Sequence, residues 1–388
     1  MAAPQARPLT IFLVAGEESG DQLGGALMEG LVRLAPVDVR FLGVGGRRMA
    51  ASGLTSLFPM DDLTAIGFGQ VIGKLPLILR RLSETVDAII AARPDLLVLV
   101  DAPDFTHRVA ARVRRRLPDL PILKYVSPTV WAWRPGRARA MRPHFDRLLA
   151  LLPFEPEVHQ RLGGPPTLYV GHPLLERLTD LRPSETERAR RAVQPYRILV
   201  LPGSRRSEID RLGEVFGKAL GLIADLRAVE FVLPTLPHRL EQVDEVVRNW
   251  PVRVRIVTTD AEKYAAFRTA RAALAASGTV TLELALAGVP TVAAYRVAGW
   301  EALIAPYVLT IPSVILPNLV LGENAVPEFL QHDCTPEKLA AAVETILPDS
   351  SERRAQLAAF ERLDAIFGID GEPPSLRAAS AVLAALTR

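Results

Sequence analysis

Only one cysteine, Cys334, stands among 388 residues. That excludes intramolecular disulfides and multi-cysteine metal sites. Lysine is nearly as scarce: Lys74, Lys124, Lys218, Lys263 and Lys338 are the full set, and arginine supplies the rest of 46 basic residues against 43 acidic ones. A formal charge of +3 over this length is no nucleic-acid footprint. The local clusters Arg112–Arg116 and Arg134–Arg142 lack the interleaved aromatic platforms of single-strand binders. No nucleic-acid partner is expected; anionic ligands or an anionic membrane face suit the charge better. No secretory leader is expected either, because the apolar run Leu9–Val14 ends at Ala15-Gly16-Glu17-Glu18, too short for a targeting core. The cytoplasm is the expected location. A dinucleotide fingerprint is broken: Gly43-Val44-Gly45-Gly46 has Arg48 where the third glycine belongs, and it follows the second apolar strand instead of the first.

What is present is a globular composition, 49% apolar and 23% charged, long enough for two domains. Apolar runs at Thr10–Ala15, Val37–Val44, Asp95–Val100 and Pro121–Val126 read as buried parallel strands. Helical spacing covers Gln22–Ala35 and Pro76–Ala92 between them. A second series begins after a charged linker over 174–195, with strands expected at Ile198–Leu201, Val229–Leu233, Arg253–Val257, Ala272–Ala276 and Pro290–Tyr295. The tail from Glu337 is helical by pattern. Alternation of this kind predicts an α/β fold of two doubly wound, Rossmann-like domains, with ligands at the carboxyl ends of the strands and a cleft between the domains.

Four stretches lie just beyond such strands: Gly16–Asp21, Asp101–Phe105, Leu201–Arg205 and Ser277–Thr279. Their expected convergence raises the functional reading above what any one supports. Gly203, Ser204 and Arg205 form a tight turn into a helix start, where unpaired amides, the helix dipole and a forked guanidinium suit a phosphate. Ser277, Gly278 and Thr279 repeat that arrangement, and Glu283 falls one helical turn in, placed to accept ribose hydroxyls. Asp101 closes a very apolar strand, where desolvation can tune a carboxylate toward general-base work. Asp104 suits the cap of a helix beginning near Thr106, and His107 reads as a helix-surface residue. Trp131 and Trp133 read either as sugar-stacking faces or as core, and Arg137, Arg139 and Arg142 either as a cationic rim or as solvated side chains. Ile66–Arg81 mixes large apolar residues with cations, fitting an anionic membrane interface or a core loop with a helix. Ala302–Leu321 carries no charge over 20 residues, but Pro306, Pro312 and Pro317 break any spanning helix.

The motifs AGEESGD at 15–21, GVGGRRMAASG at 43–53, DAPDF at 101–105, YVSPTVWAWR at 125–134, LLPFE at 151–155 and VGHPL at 170–174 stand in this order. They are followed by LPGSRRSEI at 201–209, AASGTVTLE at 275–283, LPNL at 316–319 and VPEFLQ at 326–331. The ordered set resembles the lipid-A-disaccharide synthase family nearly end to end. The resemblance implies a GT-B fold, with an acceptor domain over 1–180, a UDP-sugar donor domain over 181–345 and helices over 346–388 crossing back. It implies an inverting transfer of 2,3-diacylglucosamine from its UDP derivative to the 6-hydroxyl of 2,3-diacylglucosamine 1-phosphate (lipid X), without metal or other cofactor. Asp101, Arg205 and Asn318 then become catalytic candidates. Gly203, Ser204, Arg205, Ser277, Gly278, Thr279 and Glu283 become donor contacts, and Glu17, Ser19, Asp104, Ser127, Trp131 and Arg134 acceptor contacts. Acylated substrates imply a peripheral place on the cytoplasmic face of the inner membrane; a homodimer is left open. Two positions depart from the family pattern: Thr106 replaces an asparagine, and Gln70 an acidic residue.

Overall fold

The computed structural model describes residues 7–63, 68–297 and 311–386, without the side chains of 68–73. Ile66, Gly67 and the side chains of 68–73 in the first membrane candidate, and residues 302–310 of the second, therefore lie outside the described residues. The chain divides into two compact units, Met1–Leu175 with Asp370–Arg388, and Glu176–Ile369.

In the first unit six parallel strands run in the order β2-β1-β3-β4-β5-β6. They are β1 (Leu9–Ala15), β2 (Val39–Val44), β3 (Leu96–Val100), β4 (Ile122–Tyr125), β5 (Arg147–Ala150) and β6 (Thr167–Tyr169). Every residue of β3 is fully buried, as an apolar strand covered on both faces must be. Its side chains alternate between two cores. Leu96, Val98 and Val100 pack with Ile11, Leu13 and the helix Glu18–Leu34. Leu97 and Leu99 pack with Phe12, Val14 and the helices Phe68–Ala92 and Pro103–Arg116. The C-terminal helix Pro374–Leu383 lies against Glu18–Leu34. Gly30 permits that approach: a Cβ there would sit 3.0 Å from Ala379 Cβ and from the Ser375 carbonyl oxygen.

The second unit holds another parallel sheet, ordered β12-β11-β10-β7-β8-β9. Its strands are β7 (Tyr196–Leu201), β8 (Val229–Pro234), β9 (Val254–Val257), β10 (Ala272–Ala276), β11 (Thr291–Tyr295) and β12 (Glu328–Leu330). Helix Arg206–Leu226 buries Ile209, Leu212, Phe216, Leu220 and Ile223 against Ile198, Val200 and Leu274, an i, i+3/i+4 stripe meeting a strand face. Helix Ser351–Phe367 packs within this unit, against Thr279–Leu286 and Leu316–Leu321. Of the tail, the segment from Asp370 onward belongs to the first unit.

Both sheets are doubly wound, and each has a switch point where the strand order reverses. In the first it lies between β1 and β3, whose ends align at Ala15 and Val100. In the second it lies between β7 and β10, with Leu201 opposite Ala275. Ligands of such sheets bind outside the carboxyl ends of the strands at these points. The four polar stretches are the loops that leave those four strands.

Candidate active site

The loops after β1 and β3 meet. Ser19 Oγ donates to Asp101 Oδ2 at 3.0 Å, and a Cβ on Gly16 would come within 2.8 Å of Ala102 Cβ. Asp101 and Ala102 are both left-handed, with φ of 46° and 41°. For residues with a Cβ that conformation costs about 1–3 kcal/mol each and persists only where the surroundings hold it. The Asp101 amide donates to the Tyr125 carbonyl at 2.9 Å. Beneath the turn, Thr106 Oγ1 donates to the Asp101 carbonyl at 2.8 Å and lies 3.0 Å from that of Ala102. Lys124 Nζ donates to the same Asp101 carbonyl and, at 3.0 Å, to Thr106 Oγ1. Lys124 is wholly buried; burial pulls its pKa down to about 7, against the opposing pull of Asp101 and Glu17.

Several expectations change here. The helix starts at Pro103, with Ala102 as its N-cap, so Asp104 is a first-turn residue. Proline at N1 is a favourable start, and that signal was available in the sequence. Asp104 does not cap; it pairs with Arg137 at 2.8 Å and remains exposed. His107 is half-buried instead of lying on the open helix surface. It packs edge-on against Phe145, and burial drives its pKa down to about 3.

Glu17 and Ser19 are exposed beside Asp101. Ser127 is buried, its hydroxyl 2.9 Å from both the Pro128 carbonyl and His159 Nε2. Trp131 donates through Nε1 to Glu155 at 3.1 Å and stands edge-on to Phe154. Glu155 also accepts the amides of Leu151 and Leu152, and burial raises its pKa to about 7. Ser127 and Trp131 thus build the wall of this loop, while the exposed Trp133 carries the Arg134 guanidinium 4.3 Å over its ring.

The incomplete glycine fingerprint is explained by Asp21. Its buried carboxylate accepts the amides of Gly46, Arg48 and Met49 at 2.7, 2.9 and 3.0 Å. The amides a pyrophosphate would need are therefore bound internally.

In the second unit the loops after β7 and β10 line one cavity of about 540 Å³. Gly203, Ser204, Arg205, Ser277, Gly278, Thr279 and Glu283 all face it, joined by Lys263 and Glu208. The last two escaped sequence reasoning. Glu208 changes the reading of the phosphate turn, because its Oε2 accepts the Ser204 and Arg205 amides at 3.1 and 3.2 Å. Those amides point at a carboxylate of the chain's own helix, the arrangement in which an N3 glutamate closes a helix start. Gly203 is obligatory, with φ at +115° and a Cβ position 2.4 Å from Glu208 Oε2. The Arg205 side chain, 76% exposed, lies 3.2 Å from Glu208 Oε1. Arg206 is solvent-facing, its nearest acid Asp210 at 3.9 Å.

Lys263 pairs with Glu283 at 2.5 Å. The Ser277 hydroxyl donates to the Val314 carbonyl at 2.7 Å and holds the turn. Asn318 does not reach the cavity. It is buried, with its amide nitrogen donating to Val326 and Glu328 and its oxygen accepting the Val326 amide at 2.8 Å. Glu328 in turn accepts the Val314 amide at 3.0 Å. Asn318 therefore braces the segment on which Ser277 rests.

Two doubly wound units, each with polar loops at its switch point, define a protein of the GT-B class. Solved structures share this fold: UDP-GlcNAc 2-epimerase from Neisseria meningitidis bound to UDP-GlcNAc superposes with a TM-score of 0.61 at 9% identity, over 98% of this chain and 100% of that one. MurG of Acinetobacter baumannii gives 0.57 at 13% identity, over 97% and 100%. At such identities the likeness concerns the fold alone. The model of the lipid-A-disaccharide synthetase family matches residues 11–366. Lipid-A-disaccharide synthase of Nitrobacter hamburgensis is 60% identical over 96% of this chain and 94% of its own length. That of Bradyrhizobium diazoefficiens is 56% identical over 97% of each. The chain belongs to the lipid-A-disaccharide synthase family, a family of glycosyltransferases.

Proposed function

We propose that this chain moves 2,3-diacylglucosamine from its UDP derivative to the 6-hydroxyl of 2,3-diacylglucosamine 1-phosphate, with inversion. The reading rests on the placement of polar side chains at the switch point of each sheet, where such sheets take their ligands. Asp101 removes the proton of the acceptor hydroxyl. The oxygen attacks the anomeric carbon, the bond to the diphosphate breaks, and its electron pair leaves with UDP. Arg205 and Lys263, both lining the second unit's cavity, offset the charge that grows on the leaving group. The N-terminus of the 21-residue helix Arg206–Leu226 adds partial positive charge. The Ser204 and Arg205 amides are left to Glu208, so phosphate recognition falls to side chains. Glu283, steadied by Lys263, accepts the ribose hydroxyls. Glu17, Ser19 and Arg134 remain exposed for the acceptor.

Among the described residues no group of three or more His, Cys, Asp or Glu is placed to hold a metal. Purified protein given both substrates should form one disaccharide 1-phosphate per UDP, at a rate unchanged by EDTA because two side-chain cations face the leaving group. Consumption of the UDP-sugar without acceptor would instead indicate an epimerase.

No helix of the described residues is long and apolar enough to cross a membrane. On the helix Phe68–Ala92, Leu75 and Leu79 are 45% and 41% exposed, flanked by Lys74 and Arg80. Apolar residues framed by cations suit an anionic interface, so a peripheral place on the inner membrane is part of the proposal. High salt should release the protein from membranes; resistance to both salt and carbonate would contradict it.

A further inference from the structure

Lys124 is a wholly buried amine in the first unit with no place in the chemistry above. It is fully enclosed, yet its ammonium is aimed at one point, the carbonyl of Asp101. Thr106, also fully buried, stands between, accepting from Lys124 and donating to that same carbonyl. The two side chains come from different elements, β4 and the helix Pro103–Arg116; Lys124 reaches the Asp101 carbonyl, and Thr106 the carbonyls of both Asp101 and Ala102, two consecutive left-handed residues. Nothing in packing requires a lysine there. A buried unpaired cation is costly, and an apolar side chain of the same length would fill the space more cheaply. The cation is retained where its field and its donors act on a strained turn that presents a carboxylate.

We propose that Lys124, acting with Thr106, is a positioning residue that holds the Asp101–Ala102 turn and thereby aims the Asp101 carboxylate. The inference rests on the assignment of Asp101 as the base. A hydroxyl and a buried ammonium together occupy the underside of the turn. The charged groups around Lys124 are Asp101 and Glu17 from the two loops and Arg137 from the helix Gly136–Met141; His107 from Pro103–Arg116 is also near but neutral, its pKa lowered to about 3. Burial brings its titration to about 7, so the ammonium is present below neutrality and lost as pH rises through it. The pin weakens in that direction.

Lys124→Met keeps the chain length and removes the charge and donors. Its kcat should fall by about 10- to 100-fold, the scale of a slightly misaimed catalytic group. KM for the UDP-sugar and affinity for UDP should stay within about twofold, since those contacts lie in the other unit. In the unmodified enzyme kcat should decline above neutral pH, and Lys124→Met should lack that limb. Lys124→Gln, which restores an N–H donor without charge, should recover part of the rate and still lack the limb. Thr106→Val should lower kcat with KM unchanged, and the double variant should be no worse than Lys124→Met, because both act on one turn.

A folded Lys124→Met enzyme with kcat within twofold of the original and an unaltered alkaline limb would overturn the proposal. Should that variant fail to fold, Thr106→Val decides: unchanged kcat overturns the proposal, and reduced kcat at constant KM supports it. Asp101→Asn assayed alongside separates the two ideas. If it is inactive while Lys124→Met is normal, only the positioning role fails; if it is active, the base assignment fails.

Discussion

Asp101→Asn is expected to lower kcat by about 10³-fold, within the span attributed to a positioned general base. The substitution is nearly isosteric and leaves the local structure little to lose. The bonds from Lys124 and Thr106 go to the Asp101 backbone carbonyl, and the amide bond to Tyr125 is likewise main chain. Ser19 Oγ can still donate to the new side-chain oxygen. What disappears is the capacity to take the proton from the acceptor hydroxyl. UDP affinity, measured by calorimetry, should remain within about twofold, because the proposed diphosphate contacts belong to the second unit. A variant that turns over within tenfold of the original would remove Asp101 from the base role.

Arg205→Ala is expected to have the second-largest effect, a loss of about 3 kcal/mol in kcat/KM, or roughly 10²-fold. Two terms add. The guanidinium proposed to meet the growing negative charge is gone, and Glu208 loses the partner that lies 3.2 Å from it. A carboxylate without a cationic partner, held only by the Ser204 and Arg205 amides, then lines the cavity proposed to take the diphosphate. Both kcat and UDP affinity should therefore fall, in contrast to Asp101→Asn. Arg206→Ala is the control: that side chain is 79% exposed and sits 3.9 Å from Asp210, so its removal should leave the kinetics almost unchanged. Equal losses at the two arginines would mean that general surface charge, not the geometry of Arg205, is responsible.

The parts of the fold that were legible in the sequence are those where one physical demand dominates locally. A strand such as β3 is buried on both faces and must be apolar throughout, so it announces itself. The three residues of β6, Thr167–Tyr169, are only partly buried, and β12 at Glu328–Leu330 is as short; neither has enough length for a pattern to form. The candidate site divides along the same line. Gly203 and Ser277-Gly278 were visible because turns restrict residue type over a few neighbouring positions. Asp101 was visible because an acid at the end of an apolar strand is conspicuous.

What escaped depends on partners distant in sequence. Lys124 acts 23 residues from the carbonyl it holds, and Asp21 closes a turn 25 residues away. Asn318 is the reverse case. Its motif suggested a reacting group, but the structure satisfies its amide fully with Val326 and Glu328. Glu208 stood within the motif itself, three residues after the N-cap, and its capping spacing was readable. It matters because it takes up the Ser204 and Arg205 amides, which leaves the proposed phosphate recognition to the Arg205 and Lys263 side chains.

The most direct measurement is the anomeric configuration of the product, read by nuclear magnetic resonance after mixing the purified protein with the α-linked UDP-sugar and the diacylated glucosamine 1-phosphate. A single displacement driven by Asp101 predicts a β-1,6-linked disaccharide 1-phosphate and an equal amount of UDP. An α-linked product, or UDP released without the acceptor, would contradict it.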